Sequence, residues 1–253
     1  IYGLKVSEDG GAVSEAVFGL FRPDETEYSE ATALMTAVSD ESGAFAFLDV
    51  PCGDWIIKEL SCPPQFVLSG ELFRVTVSEQ AQRIEIEAVN KWVTGSVQTT
   101  KVDKDYPDNK LSNALFGIYL DVNGNKVFDK GIDTFVEHME EIEPGIYRLD
   151  GLKYNGYFLY EERSPEGFIK DDRYYYFEIR EDGQTVIVEN EAGVGFINQP
   201  VVPEQPEEPE EPVQPPKTGD TSNLWLWIGI ASVSLGVLIF MSIKIRRKHT
   251  VSE

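Results

Sequence analysis

Six polar residues stand where polar residues are expensive. Successive side chains of a strand point to opposite faces, so residues two apart share a face. By that parity Lys5 lies with Gly3 and Ile1, Glu59 with Ile57 and Trp55, and Asn90 with Ala88, Ile86 and Ile84. Further on, Lys101 lies with Thr99 and Val97, Glu161 with Leu159 and Tyr157, and Asn198 with Phe196 and Val194. Each ends a mostly apolar stripe, and a charge buried without a partner is very costly. A lysine, a carboxyl and an amide turned inward in each set therefore need one another. Desolvation lowers an amine pKa, which makes a lysine nucleophilic, and raises a carboxyl pKa, which keeps a glutamic acid protonated. A neutral carboxyl can then hydrogen-bond the amide carbonyl oxygen and polarise it.

The elements that must position these residues occur twice. One copy opens LKVSEDG…SEAVFGLF and the other TKVDKDY…SNALFGIY. Each continues through a turn into short apolar runs, SGAFAFLDVPCGDWIIKEL and PGIYRLDGLKYNGYFLYEE, then SCPPQFVL and RSPEGFIK, and closes on AVNKW or GFINQ. Short alternating runs broken by Gly, Pro and Asp predict antiparallel β structure. No stretch before residue 224 has the length and period of an amphipathic helix. The expected architecture is all-β: two tandem Ig-like sandwiches, residues 1–93 and 94–200. The junction at 91–94 has no flexible linker, which predicts domains stacked stiffly end to end.

At this level a family likeness becomes specific. Both copies resemble the B-type repeat domains of collagen adhesins and the SpaA-type pilin domains, which share a prealbumin-like sandwich. That family carries a lysine in its first strand, a YxLxExxAPxGY-like box and an asparagine closing its last strand. YFLYEERSPEGF matches the box closely and WIIKELSCPPQF more loosely, with Glu161 and Glu59 each four residues before a proline. The resemblance implies intramolecular isopeptide bonds, Lys5 to Asn90 helped by Glu59 and Lys101 to Asn198 helped by Glu161. Such a step is single-turnover, so the chain is not expected to be an enzyme. The residues alone also allow a buried Lys–Glu pair hydrogen-bonded to Asn with no covalent bond. No pilin-type linking lysine motif is evident, which favours a tip, base or monomeric role over a pilus shaft.

The C-terminal region differs in kind. Residues 201–214 alternate Pro and Glu and predict an extended linker able to cross a cell wall. Residues 224–243 carry no charge, and a helix of that length is roughly 30 Å long, enough to span a bilayer. Trp225 and Trp227 lie at one end, and Lys244, Arg246, Arg247 and Lys248 follow the other, which places residues 1–223 outside the cell. Together with Pro216, Thr218 and Gly219, this order resembles the LPxTG-type sorting signal of Gram-positive surface proteins, with Pro215 in place of Leu. The resemblance implies residues 215–253 as a sorting signal. A sortase would cut between Thr218 and Gly219 and join Thr218 to cell-wall peptidoglycan, the membrane span being temporary. Ile1 is neither an initiator Met nor the start of a signal peptide, so an upstream segment of an exported chain is expected.

Composition narrows the partners. The net charge of the 253 residues is −22, which argues against nucleic acid and anionic membrane surfaces. Cys52 and Cys62 flank a run that reads as a strand, and opposite ends of a strand are too far apart for a disulfide. Asp121, Asn123, Asn125 and Asp129 alternate as calcium ligands do, but Lys126 stands where the sharp-turn Gly belongs, and a polar hairpin turn is the simpler reading; no other cofactor is expected. Tyr174 to Phe177 offers an aromatic face to a sugar or, more commonly, strand packing. His138 has no histidine partner outside the basic tail. The expected function is a stalk segment of a sortase-anchored surface or pilus protein, with pilus subunits as possible partners. The alternatives are an adhesin for a host matrix protein or glycan, or the anchor region of an upstream enzyme.

Overall fold

Alternation decides the strands. In β1 (Tyr2–Ser7), Tyr2 and Leu4 face outward while Gly3, Lys5 and Ser7 are buried. The structure, a computed structural model, describes residues 1–202 and, beyond them, Ile228, Gly229, Val233, Phe240 and Met241. The expected sorting signal at Pro216, Thr218 and Gly219 lies outside the described residues, as do nearly all of the expected linker and the 224–243 span. Among the described residues no helix is long and apolar enough to cross a membrane.

The first copy continues with β2 (Val17–Phe21), β3 (Met35–Val38), β4 (Ala44–Ala46), β5 (Gly53–Ser61), β6 (Leu72–Val77) and β7 (Glu85–Asn90). These form two sheets, β4-β1-β7 and β3-β2-β5-β6. Phe18, Leu20, Phe45, Phe47, Trp55 and Ile57 fill the space between them. Each such side chain contributes about 1.5–3 kcal/mol by leaving water.

The second copy repeats the plan in β8 (Thr94–Asp103), β9 (Leu115–Leu120), β10 (Thr134–His138), β11 (Glu140–Glu143), β12 (Ile146–Lys153), β13 (Asn155–Arg163), β14 (Phe168–Ile169), β15 (Tyr174–Ile179), β16 (Thr185–Ile187) and β17 (Phe196–Pro200). One sheet runs β10-β9-β13-β15; the other runs β11-β12-β8-β17-β14, with β16 also on β8. Phe116, Ile118, Tyr147, Leu159, Phe177, Ile179 and Phe196 form its core. Residues 1–202 are all-β, in two sandwich domains.

Most pairings are antiparallel, as the alternation predicts. The exceptions are β1 with β7 and β8 with β16 and β17, which are parallel. Parallel neighbours need a long crossover, and here most of a domain lies between each domain's first and last strands. At the end of the first domain, Trp92 packs on Phe66 and its indole N–H donates to Asp9 at 3.0 Å. Lys153 reaches the same Asp9 oxygen at 3.2 Å and lies over the Trp92 ring.

Candidate functional site

The lysine and the asparagine of each domain come from neighbouring parallel strands, offset by two residues. Lys5 is opposite Ala88 and Ser7 opposite Asn90; Lys101 is opposite Phe196 and Asp103 opposite Asn198. An offset of two keeps both side chains on one face, within reach of long side chains. The glutamates arrive from the facing sheets, Glu59 on β5 and Glu161 on β13. The structure thus brings together all three expected residues in each domain. Lys5 and Lys101 are fully buried, and Glu59, Asn90, Glu161 and Asn198 are at most 2% exposed.

The contacts are similar in the two domains, except that Asn198 Nδ2 meets both Glu161 oxygens, at 2.8 and 3.0 Å, and Asn90 Nδ2 one oxygen of Glu59. Lys5 Nζ donates to the Ala88 and Val6 carbonyls at 3.2 Å, and Lys101 Nζ to the Phe196 carbonyl at 3.0 Å. Glu59 Oε1 lies 3.8 Å from Lys5 Nζ and accepts from Asn90 Nδ2 at 3.0 Å. Glu161 Oε1 lies 3.4 Å from Lys101 Nζ and accepts from Asn198 Nδ2 at 2.8 Å. One carboxylate oxygen in each site therefore faces both nitrogens. The other oxygen accepts a backbone N–H ten residues on, from Ser69 in the first domain and Asp171 in the second, at 2.8 Å in both.

Burial sets the electrostatics. Desolvation holds the Lys5 amine below its ordinary value against the opposing pull of Glu59. It lowers Lys101 to about 8, with Glu161 again pulling upward. Burial pushes the Glu59 carboxyl up, opposed by the Ser69 N–H and by Lys5. Each shift favours the neutral form, as nucleophilic attack by an amine requires.

One detail departs from the sequence reading. The amide nitrogen faces the glutamate, and the carbonyl oxygens of Asn90 and Asn198 have no partner. A carboxyl oxygen that accepts a hydrogen bond meets the NH₂ end of an amide, and that is the contact made in both domains. In this arrangement each glutamate bridges nucleophile and leaving group. A cavity of about 260 Å³ touches Asn198 and is lined also by Lys104, Asp171, Arg173 and Asn190.

Several supporting residues carried weaker signals. Gly43 and Gly145 turn at φ of +78° and +70°, and their carbonyls accept the Lys5 and Lys101 backbone N–H groups at 2.7 Å. A Cβ on Gly43 would stand 2.2 Å from the Lys5 carbonyl oxygen, so both space and a left-handed backbone require glycine there. The SG and PG turn signals mark these positions. Ser69 and Asp171 act through backbone N–H groups, which no side-chain pattern reveals. Cys52 and Cys62 are free thiols.

The expected calcium ligands share one loop, yet their oxygens turn onto it. Asp121 accepts from the N–H groups of Gly124 and Lys126, Asn123 from that of Asn125, and Asn125 from that of Val127. Asp129 accepts from the side-chain amides of Asn123 and Asn125. Among the described residues no group of three or more His, Cys, Asp or Glu side chains is placed to hold a metal. Tyr174 is stacked between Phe128 at 3.6 Å and Tyr160 at 4.3 Å, so its two faces are taken by packing.

The family described as SpaA, a prealbumin-like fold domain, matches residues 1–92 and again 95–192. No curated protein matches the chain. Among solved structures, the Bacillus anthracis TIE protein is similar at 23% identity and a TM-score of 0.63, covering 79% of this chain and 34% of its own. The chain therefore spans about a third of that protein's length. The minor pilin GBS52 of Streptococcus agalactiae is similar at 18% identity and a TM-score of 0.32, over 79% of this chain and 96% of its own. The shaft pilin of Lactobacillus rhamnosus GG follows at 12% identity and 0.31, over 80% and 97%.

Proposed function

Because this chain belongs to the SpaA prealbumin-like domain family, we propose that it is a structural stalk segment of a bacterial surface or pilus protein, its two domains each closed by a Lys–Asn isopeptide bond. The observation that carries this reading is the buried lysine, glutamate and asparagine at matching strand positions in both domains. The neutral amine attacks the asparagine Cγ, a bond forms from Nζ to Cγ, and the Cγ–Nδ2 bond breaks. The glutamate takes a proton from Nζ and gives one to Nδ2, which leaves as ammonia. Acid and base are regenerated in one group, and the products are one amide and one ammonia.

The bond would lie between strands at the two ends of each domain's sequence. Tension along the chain then passes through a covalent link and bypasses most of each sandwich. A stalk needs that property, and a catalyst does not. The C-terminal sequence supplies the anchorage: a sortase cuts at Thr218–Gly219 and transfers the chain to peptidoglycan.

The test is the intact mass of residues 1–202, expected to fall short of the sequence mass by two ammonia molecules. Glu59→Ala and Glu161→Ala should each restore one. A mass with no ammonia missing would reduce both sites to buried polar networks. For the anchor, Thr218→Ala should leave the full-length protein extractable from membranes by detergent. A wild-type protein equally extractable would remove the sorting step.

A further inference from the structure

The strand that carries Asn198 lacks a backbone neighbour on one side. β17 pairs with β8 over Phe196–Asn198, but on its other edge β14 reaches only Gln199 and Pro200. At Ile197 a side chain fills the gap. Asn190 Oδ1 accepts the Ile197 N–H at 2.6 Å, and Asn190 Nδ2 donates to the Ile197 carbonyl at 2.8 Å. A side-chain amide has one acceptor and two donors, so Asn190 serves the backbone as a one-residue strand partner and keeps a second N–H. Its Nδ2 is also within 2.9 Å of Asp171 Oδ2.

Asp171 is itself held firmly. Arg173 donates from Nε at 2.9 Å and from its terminal nitrogen at 2.7 Å, and the Tyr175 hydroxyl donates at 2.6 Å. Its backbone N–H is the group that binds Glu161 Oε2. One residue is thus tied by its main chain to the glutamate and, through Asn190, to the residue before the reacting asparagine. The first domain has no such tie. Ser69 occupies the place of Asp171, and Asn90 ends a parallel ladder of six residue pairs.

We infer that Asp171 and Asn190 are positioning residues for Asn198, setting its amide against Glu161 and thereby the rate of isopeptide formation in the second domain. This rests on the isopeptide reading above. A displacement near 1 Å of a reacting group can slow a reaction on the order of a hundredfold, and a short strand held at one edge by a side chain is free to shift that far once the side chain is gone.

The experiment follows ammonia loss by intact mass from the moment of cell-free synthesis, with proteolytic mapping to assign each cross-link to Lys5 or Lys101. Asn190→Ala should slow the Lys101 cross-link about tenfold to a hundredfold and leave the Lys5 cross-link at its wild-type rate. Asp171→Ser installs the first domain's residue, keeps the N–H to Glu161 and removes the carboxylate; it should slow the same cross-link. Tyr175→Phe takes a hydrogen bond from the same carboxylate but spares the tie, and should react at close to the wild-type rate. Wild-type kinetics in both Asn190→Ala and Asp171→Ser would overturn the inference. So would an equal delay in Tyr175→Phe, because general loosening would then suffice. A wild-type chain that loses no ammonia would overturn the isopeptide reading and this inference together.

Discussion

In the first domain the asparagine strand lies along the lysine strand for six pairs, Tyr2–Ser7 against Glu85–Asn90. In the second the corresponding match is three pairs, and the chain leaves the sheet between β16 and β17 before returning. The lysine-to-glutamate distance is nevertheless shorter in the second domain, 3.4 Å against 3.8 Å. Backbone pairing secures one site and side-chain ties secure the other. The same constellation therefore does not depend on one kind of scaffold. What both domains share is parity, burial and a backbone N–H on the far glutamate oxygen.

The sharpest way to break the equivalence is mechanical. With both bonds formed, stretching a single molecule should extract little length from residues 5–90 or 101–198. Glu59→Ala should release the first domain alone, adding roughly 300 Å at about 3.5 Å per residue. Glu161→Ala should release the second by a similar amount, and the double variant both. A wild-type trace that already shows two such steps would mean that neither domain is covalently closed.

Stability and its pH dependence come next. On the isopeptide reading Asn198→Ala prevents the second bond and leaves Lys101 as a free amine. By analogy with a disulfide the loss is on the order of 4–5 kcal/mol, read as a lower melting temperature. The folded amine titrates at about 8 against an ordinary 10.5, so between those pH values the unfolded chain binds more protons. The variant should therefore gain stability as pH rises from about 8 to 10.5, and its penalty should be fully present below pH 8. On the isopeptide reading Nζ of the wild type is an amide nitrogen, and Lys101 should add no slope in that window. Equal slopes in the two proteins would mean that Lys101 is free in both.

Much of this was legible in the sequence for a simple reason: parity needs only the period of a strand. Ile1, Gly3, Lys5 and Ser7 are all buried on one side of β1, and the repeat confirmed each position by its counterpart. The parallel pairing was not legible, because alternation fixes which face a residue takes and not which strand lies beside it. The amide orientation was hidden as well, since parity places a side chain on a face and does not say which end of its amide meets the glutamate. The Asn190 tie lies in residues 188–195, the excursion between β16 and β17 that replaces the continuous ladder of the first domain. Its role depends on a neighbour, Ile197, that only the folded edge brings close. In the 121–133 loop the alternating spacing is visible in the sequence, while the acceptance of backbone N–H groups by Asp121 and Asn125 is visible only in the folded turn.

The smallest expected effect tests the neighbours of the two sites. Cys62 and Ser164 hold equivalent places, three residues after the glutamate. Cys62 Sγ donates to the Phe66 carbonyl at 3.4 Å, and Ser164 Oγ to the Phe168 carbonyl at 2.8 Å. Burial, with the nearby Glu59 charge, pushes the Cys62 thiol up to about 11. The thiolate is the reactive form, so at neutral pH Cys62 should resist alkylation while exposed Cys52 reacts. Cys62→Ser exchanges one weak donor for the stronger one that the second domain already uses. A net hydrogen bond is worth about 1 kcal/mol, so the variant should melt within a few degrees of the wild type and lose ammonia from the first domain at an unchanged rate. The decisive comparison is alkylation of the folded wild type against folded Asn90→Ala, which lacks the amide to be attacked and keeps the Glu59 charge beside the thiol. If the cross-link keeps the first domain shut, Cys62 should be slow in the former and faster in the latter. Rapid labelling of Cys62 in both would show that the domain opens around its site whether or not a bond is there to hold it.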